Sequence, residues 1–235
     1  MSYRNNILVF DFETSGKNCE GCQPTQLAAI IVSGRTGKIV KGSEFNSLIK
    51  IEFDEEKCNE LGVDLPEDKA LEITKKTKEE LDKAPTLDVV WKNFSAYVEK
   101  YNIGKGAWDK PIPAGFNIKN FDMPLIRRIA GETPWEYGPF DKTAKRCTLF
   151  HPVTMFDVYD DVKRWLEWDS TVKSISMDSL RKKFGIRSDN AHDALNDVIV
   201  TATFIEKFIA LYRFFGPQIE FDNSFAAHAE LGVGV

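Results

Sequence analysis

Histidine is scarce in this chain of 235 residues: there are three, at 151, 192 and 228. Cysteine is hardly more common, with four at 19, 22, 58 and 147. A chain of this length buries a substantial core without covalent staples, so so few cysteines exclude a disulfide framework and are expected to be thiols. Long hydrophobic runs are also missing. The first apolar stretch, NNILVFDFE from Asn5, is cut short by Asp11, which excludes a signal-peptide core there, and no later run is long enough to span a bilayer. The expectation is a cytoplasmic protein with no membrane partner.

Positive charge is not in excess either. A net charge of −5 gives no bulk field to hold a polyanion, although a site that gathers carboxylates around metal ions would itself make the total negative. Charge therefore does not decide between partners. Low-complexity tracts, internal repeats and an obvious linker are absent, which points to one domain over residues 1–212 followed by a partly apolar tail, 213–235, in which His228 looks incidental.

What is present is an order of elements. NNILVFDFE reads as a buried strand, and QLAAIIVSGRTGKIVKGSEFNSLIKI as two strands joined by a turn at GRTG. Residues 52–84 are charge-rich, with short helical pieces at Ala70–Ile73 and Lys78–Leu81. Helical spacing returns in LDVVWKNFSAYVEKY, and KPIPAGF reads as a short strand with its prolines near the ends. NFDMPLIRRIAG follows as a helix, then a loop over 132–154, then helices in VYDDVKRWLEW, MDSLRKKFG and from Ala194 to Phe215, the last with a continuous apolar stripe. Strands, then a mixed region, then helices describe an α/β fold with a central mixed sheet flanked by helices.

Three acidic motifs stand on these elements. Asp11 and Glu13 end the first strand, and residues two apart on a strand face the same side. Asp122 lies after the KPIPAGF strand, at the start of a helix. Alone, each set has an ordinary reading as a solvated pair or a helix cap, Asn117 and Asn120 included. The third motif, AHDALND at 191–197, places His192 five residues before Asp197. Five residues turn a helix by about 140° past a full turn. The two side chains converge only if His192 lies at or before the helix start, and Ser188, Asp189 and Asn190 supply capping chemistry there.

A pair of divalent cations about 4 Å apart wants several oxygen ligands, and Mg²⁺ or Mn²⁺ takes them from carboxylates. Four carboxylates suit such a pair. Histidine, with an ordinary pKa of about 6.5, can take the proton of an attacking water near neutral pH.

With D-x-E on the first strand, N-x-x-F-D in the middle and H-x-A-x-x-D on the last helix, the set Asp11, Glu13, Asp122, His192 and Asp197 resembles the DEDDh 3′→5′ exonucleases over residues 5–210. That family has a ribonuclease H-like fold and includes DNA polymerase III epsilon-like proofreading subunits. PTQLAAI, GFNIKNFD, SLRKKFGI and NAHDALNDVIVTA look most like the nuclease core of bacterial exonuclease I and related phage enzymes. One departure is Lys75 in ITKKT, where the family often has glycine.

The resemblance implies hydrolysis of single-stranded DNA from the 3′ end to nucleoside 5′-monophosphates with two divalent ions, Mg²⁺ or Mn²⁺. It implies Asp11, Glu13 and Asp197 as ligands of the ion nearer the nucleophile, Asp11 as the bridge, Asp122 as the holder of the second ion, and His192 as general base. Thr14 is the implied contact to the terminal 3′-OH. Asn117, in the middle motif, joins the candidate substrate residues.

Phe12, Phe116 and Phe121 flank the acids and are either base-stacking faces or core. Arg127 and Arg128, then Lys142, Lys145 and Arg146, then Arg181, Lys182, Lys183 and Arg187 form basic groups, each a solvated face or a track for phosphates. Cys19 and Cys22 with Cys147 and His151 have spacings compatible with a structural zinc, though neither half is diagnostic. Two alternatives stay open: an exoribonuclease or oligoribonuclease, and a proofreading or binding subunit of a polymerase complex. The complete set of four acids and a histidine argues against a site released from catalysis.

Overall fold

A computed structural model describes residues 5–132, 149–186 and 193–218. Five strands form one mixed sheet in the order β3-β2-β1-β4-β5, with β1 at Ile7–Thr14, β2 at Pro24–Val32, β3 at Phe45–Leu48, β4 at Ile112–Gly115 and β5 at Phe156–Asp157. β2 runs antiparallel to both β1 and β3, while β4 is parallel to both β1 and β5. Around it lie α1 (Glu55–Leu61), α2 (Asp68–Thr74), α3 (Lys78–Lys83), α4 (Leu87–Glu99), α5 (Asp122–Glu132), α6 (Val158–Leu166), α7 (Met177–Phe184) and α8 (Ala194–Phe215).

The two faces of β1 sort the core. Leu8, Phe10 and Phe12 enter one cluster with Trp91 and Phe94 of α4 and Leu125 and Ile126 of α5. Ile7 and Val9 enter the other, with Val158 and Val162 of α6 and Val198, Ala202 and Ile205 of α8. Strand alternation thus sets Asp11 and Glu13 on the α8 side, in line with Ile7 and Val9. Opposite them on β2 stand Ala28 and Gln26. The small Ala28 leaves space beside Asp11, and a Cβ on Gly115 would lie 3.0 Å from the Phe10 carbonyl, so glycine lets β4 end against β1.

Pro113 pairs with Leu8 inside β4 rather than at its end. The Ile112 amide points to β1, donating to Asn6 O, so the proline nitrogen faces the other side, where β5 has not yet begun.

Two sequence expectations change. The GRTG turn does not join two strands directly: beyond Val32 only Ile39 makes a bridge, and β3 starts at Phe45. The Val40 amide still donates to Ile31 O, but Ser43 Oγ takes the Ile31 amide at 3.0 Å, and the Ile39 amide, facing away from β2, donates to Glu206 of α8, partners that local pattern does not reveal. α1 and the two-residue β5 are additional elements. The last helix runs over Ala194–Phe215, as its apolar stripe implies, and 219–235 lies outside the described residues. No helix among the described residues is long and apolar enough to cross a membrane.

Candidate active site

Asp11 and Glu13 meet Asp197 at the open end of β1. One ligand atom from each of these three partly buried carboxylates lies within 4.8 Å of the others. Among the described residues no other group of His, Cys, Asp and Glu comes together in this way. Asp197 arrives because α8 begins at Ala194, capped by the Asp193 side chain accepting from Asn196 N. Gln26, directly across from Glu13, donates to Asp193 at 3.1 Å and ties that helix end to the sheet. His192 lies outside the described residues, as do Ser188, Asp189 and Asn190.

Asp122 opens α5 and is 3% exposed, with Oδ1 accepting from the Phe12 amide at 3.1 Å. It therefore sits beside β1, past the end of that strand's pairing with β4, and is joined to the strand of Asp11 and Glu13 by a hydrogen bond to its backbone. Its approach is set by Asp157, the cap of α6, whose carboxylate accepts from Asn117 N at 2.9 Å, Lys119 N at 3.2 Å and Tyr159 N at 3.1 Å. Asn117 adopts a left-handed φ of 61°, which asparagine tolerates, and its Oδ1 accepts from Asn120. Asn117 thus shapes the turn that delivers Asp122.

Burial, first of all, and then the Asp122 charge raise Asp11 well above the ordinary carboxylate range. Burial and the Asp197 charge push Glu13 up to about 7, against the opposing pull of Lys76 and Arg181. Burial also lifts Asp122 to about 7, the Phe12 hydrogen bond acting in the other direction. Packing several carboxylates together partly out of water favours their protonated forms unless cations compensate. Two side chains do so in part: Arg181 of α7 pairs with Asp197, and Lys76 pairs with Asp193 at 3.6 Å. The donor set is all hard oxygen, which fits Mg²⁺ or Mn²⁺.

The residues read as substrate contacts divide. Phe12 is 5% exposed in the core against Phe10, so its ring offers no face to a base, which corrects that assignment. Thr14 is 8% exposed and donates its hydroxyl to Gly16 O at 2.7 Å, leaving only acceptor capacity for a ligand. Phe116 packs on Tyr159 edge to face. Phe121, partly exposed beside Asp122, remains accessible.

The set Cys19, Cys22, Cys147 and His151 is not complete among the described residues. His151 Nδ1 accepts from Thr154 N at 3.0 Å and its ring packs on Trp108. Burial, first of all, pushes the Cys22 thiol up to about 11, and Cys147 lies outside the described residues. Arg128, partly buried, donates to the carbonyls of Cys19 and Cys22. Lys183 pairs with Asp169, and Arg181 is buried; Lys142, Lys145, Arg146 and Arg187 fall outside the described residues.

Gln26, Asp157, Lys76 and Arg181 were not read as site residues from sequence. A polar Gln26 inside PTQLAAIIV was a usable signal; for Arg181, in a run of three cations, there was none.

The model of the exonuclease family RNase_T matches residues 8–205. Among solved structures, cell-death related nuclease 4 has a TM-score of 0.62 at 16% identity, covering 89% of this chain and 65% of its own. Exonuclease I of E. coli in complex with a dT13 oligonucleotide has a TM-score of 0.66 at 21% identity, covering 90% of this chain and 43% of its own. Exonuclease I of Methylocaldum szegediense has a TM-score of 0.63 at 19% identity, covering 89% and 45%. The chain thus spans less than half the length of these two exonuclease I structures. No curated protein matches it in sequence.

Proposed function

The chain belongs to the exonuclease family RNase_T, and from that premise we propose that it is a metal-dependent 3′→5′ exonuclease of single-stranded DNA that releases nucleoside 5′-monophosphates. The observation that carries this reading is the gathering of Asp11, Glu13 and Asp197, with ligand atoms within 4.8 Å of one another, at the end of a central strand. The oligonucleotide held by E. coli exonuclease I, which shares the fold, supports single-stranded DNA as the substrate class.

Asp11, Glu13 and Asp197 would hold one divalent ion, and Asp122 together with Asp11 would hold a second. Bound there, the ions supply a nucleophile at neutral pH and charge stabilisation on the phosphodiester. The residues do the rest. His192, two positions before α8, takes the proton of the attacking water and orients it toward the phosphorus. Phe121 offers an aromatic face for a terminal base, a contact of roughly 1–3 kcal/mol. Asp157 holds the 117–121 turn so that Asp122 keeps its position.

The test is incubation with equal-length 5′-labelled single-stranded DNA, duplex DNA and RNA in Mn²⁺. The expected result is fastest shortening of the single-stranded DNA, with 5′-monophosphates as products. Preferential shortening of the RNA would replace the substrate class with the exoribonuclease reading.

A further inference from the structure

Of Arg181, Lys182 and Lys183, two are exposed and Arg181 is 2% exposed. Its Nη2 pairs with Oδ1 of Asp197, and its Nη1 lies 4.0 Å from Asp178. Nε and Nη1 have no hydrogen-bond partner among the described residues. A guanidinium taken out of water with two of its groups unpaired is costly, and its pairing with a prospective metal ligand is the interaction that offsets this. Its charge also lowers the proton affinity of Asp11 and Glu13, so it stands close to the whole cluster.

A carboxylate has two oxygens. A donor fixed on Oδ1 of Asp197 sets the plane in which the second oxygen is offered, and partners of this kind tune metal sites as strongly as some ligands do. We propose that Arg181 is a positioning residue of the metal centre, holding Oδ1 of Asp197 so that this carboxylate is oriented toward Asp11 and Glu13, and thereby setting the affinity for divalent ions. The proposal rests on the acid cluster being a metal site. A plain structural role, in which Arg181 only clamps α7 to α8, would lower stability and leave metal affinity alone.

Mn²⁺ binding to the full chain, measured by electron paramagnetic resonance of the free ion without nucleic acid, separates these. Arg181→Gln is expected to keep the parent's circular dichroism and to bind Mn²⁺ about 10–100-fold more weakly. Arg181→Lys, which keeps one donor and the charge, is expected to recover part of the loss. Parent-like or tighter Mn²⁺ binding by Arg181→Gln overturns the proposal and leaves the metal site standing; no Mn²⁺ binding by the parent overturns both. Should both variants fail to fold, ¹⁵N-arginine spectra of the parent decide. An exchange-protected guanidinium signal that shifts with Mg²⁺ and stays protected is expected, and one that does not move overturns the proposal.

Discussion

The backbone amide of Phe12 donates to Oδ1 of Asp122 at 3.1 Å, across 110 residues of sequence. One carboxylate therefore serves two ends: it closes the join between β1 and α5, and it faces the acids carried by the same strand.

Two substitutions separate these roles. Asp122→Asn keeps an oxygen to accept the Phe12 amide, so we expect a melting temperature close to the parent's without metal, and activity lower by at least about 10²-fold, since a second-ion ligand is lost. Asp122→Ala leaves the amide unpaired and is expected to lower stability by roughly 1–3 kcal/mol as well. Thermal melts beside rate measurements check both; equal melting temperatures for the two variants would contradict the structural half of this assignment.

Stability should depend on pH in a set direction. Burial and mutual repulsion raise Asp11, Glu13 and Asp122, so the folded chain holds protons that the unfolded chain has released. Their contribution is full below the ordinary carboxylate range and is lost as pH climbs through about 7. The metal-free protein should melt lower at pH about 8 than at pH about 6, and Mn²⁺ should reverse the trend while releasing protons. Melts at the two pH values, with and without Mn²⁺, test this; a metal-free melting temperature that rises with pH would count against the buried cluster.

Lys75 caps α2 with a left-handed φ of 56°, a conformation costly for a residue with a Cβ. Lys75→Gly is expected to stabilise the fold by about 1 kcal/mol, or roughly 2–4 °C in melting temperature. An unchanged or lower melting temperature would show that the lysine makes compensating contacts.

Asp157 gathers three backbone amides ahead of Asp122. Losing them in Asp157→Ala should cost roughly 2 kcal/mol or more and reduce activity, although Asp157 is not among the proposed ligands. Full activity in a destabilised variant would dissociate the turn from the site.

Much of the site was legible because its parts obey local rules. Asp11 and Glu13 follow Ile7 and Val9 on one face of a strand, and the apolar stripe from Ala194 to Phe215 is long enough to set α8, which carries Asp197. The missed parts are tertiary. Arg181 sits in SLRKKF like any surface cation, and its burial follows from Asp197, sixteen residues on. The expected hairpin is cut short because Ser43 Oγ takes the Ile31 amide that would carry the ladder on past Val40. β5 is two residues long, too short for periodicity to register, yet it carries Asp157. Phe12 followed the alternation it should have been read by: its neighbours Asp11 and Glu13 face the site, so it faces the core.

For His192→Ala the expectation is a rate lower by about 10²–10⁴-fold with Mn²⁺ affinity retained, since a general base acts on the proton and not on the ion. Parent-like rates would remove the histidine from the chemistry.

The most direct measurement is a time course of 5′-labelled single-stranded DNA with Mn²⁺, comparing the parent with Asp11→Asn and Asp197→Asn and with a chelator present. A ladder shortening from the 3′ end in the parent, and intact substrate in both variants and under chelation, is the predicted result. Shortening that persists in either folded variant, or with the chelator, would contradict the assignment of the chemistry to the Asp11, Glu13 and Asp197 cluster.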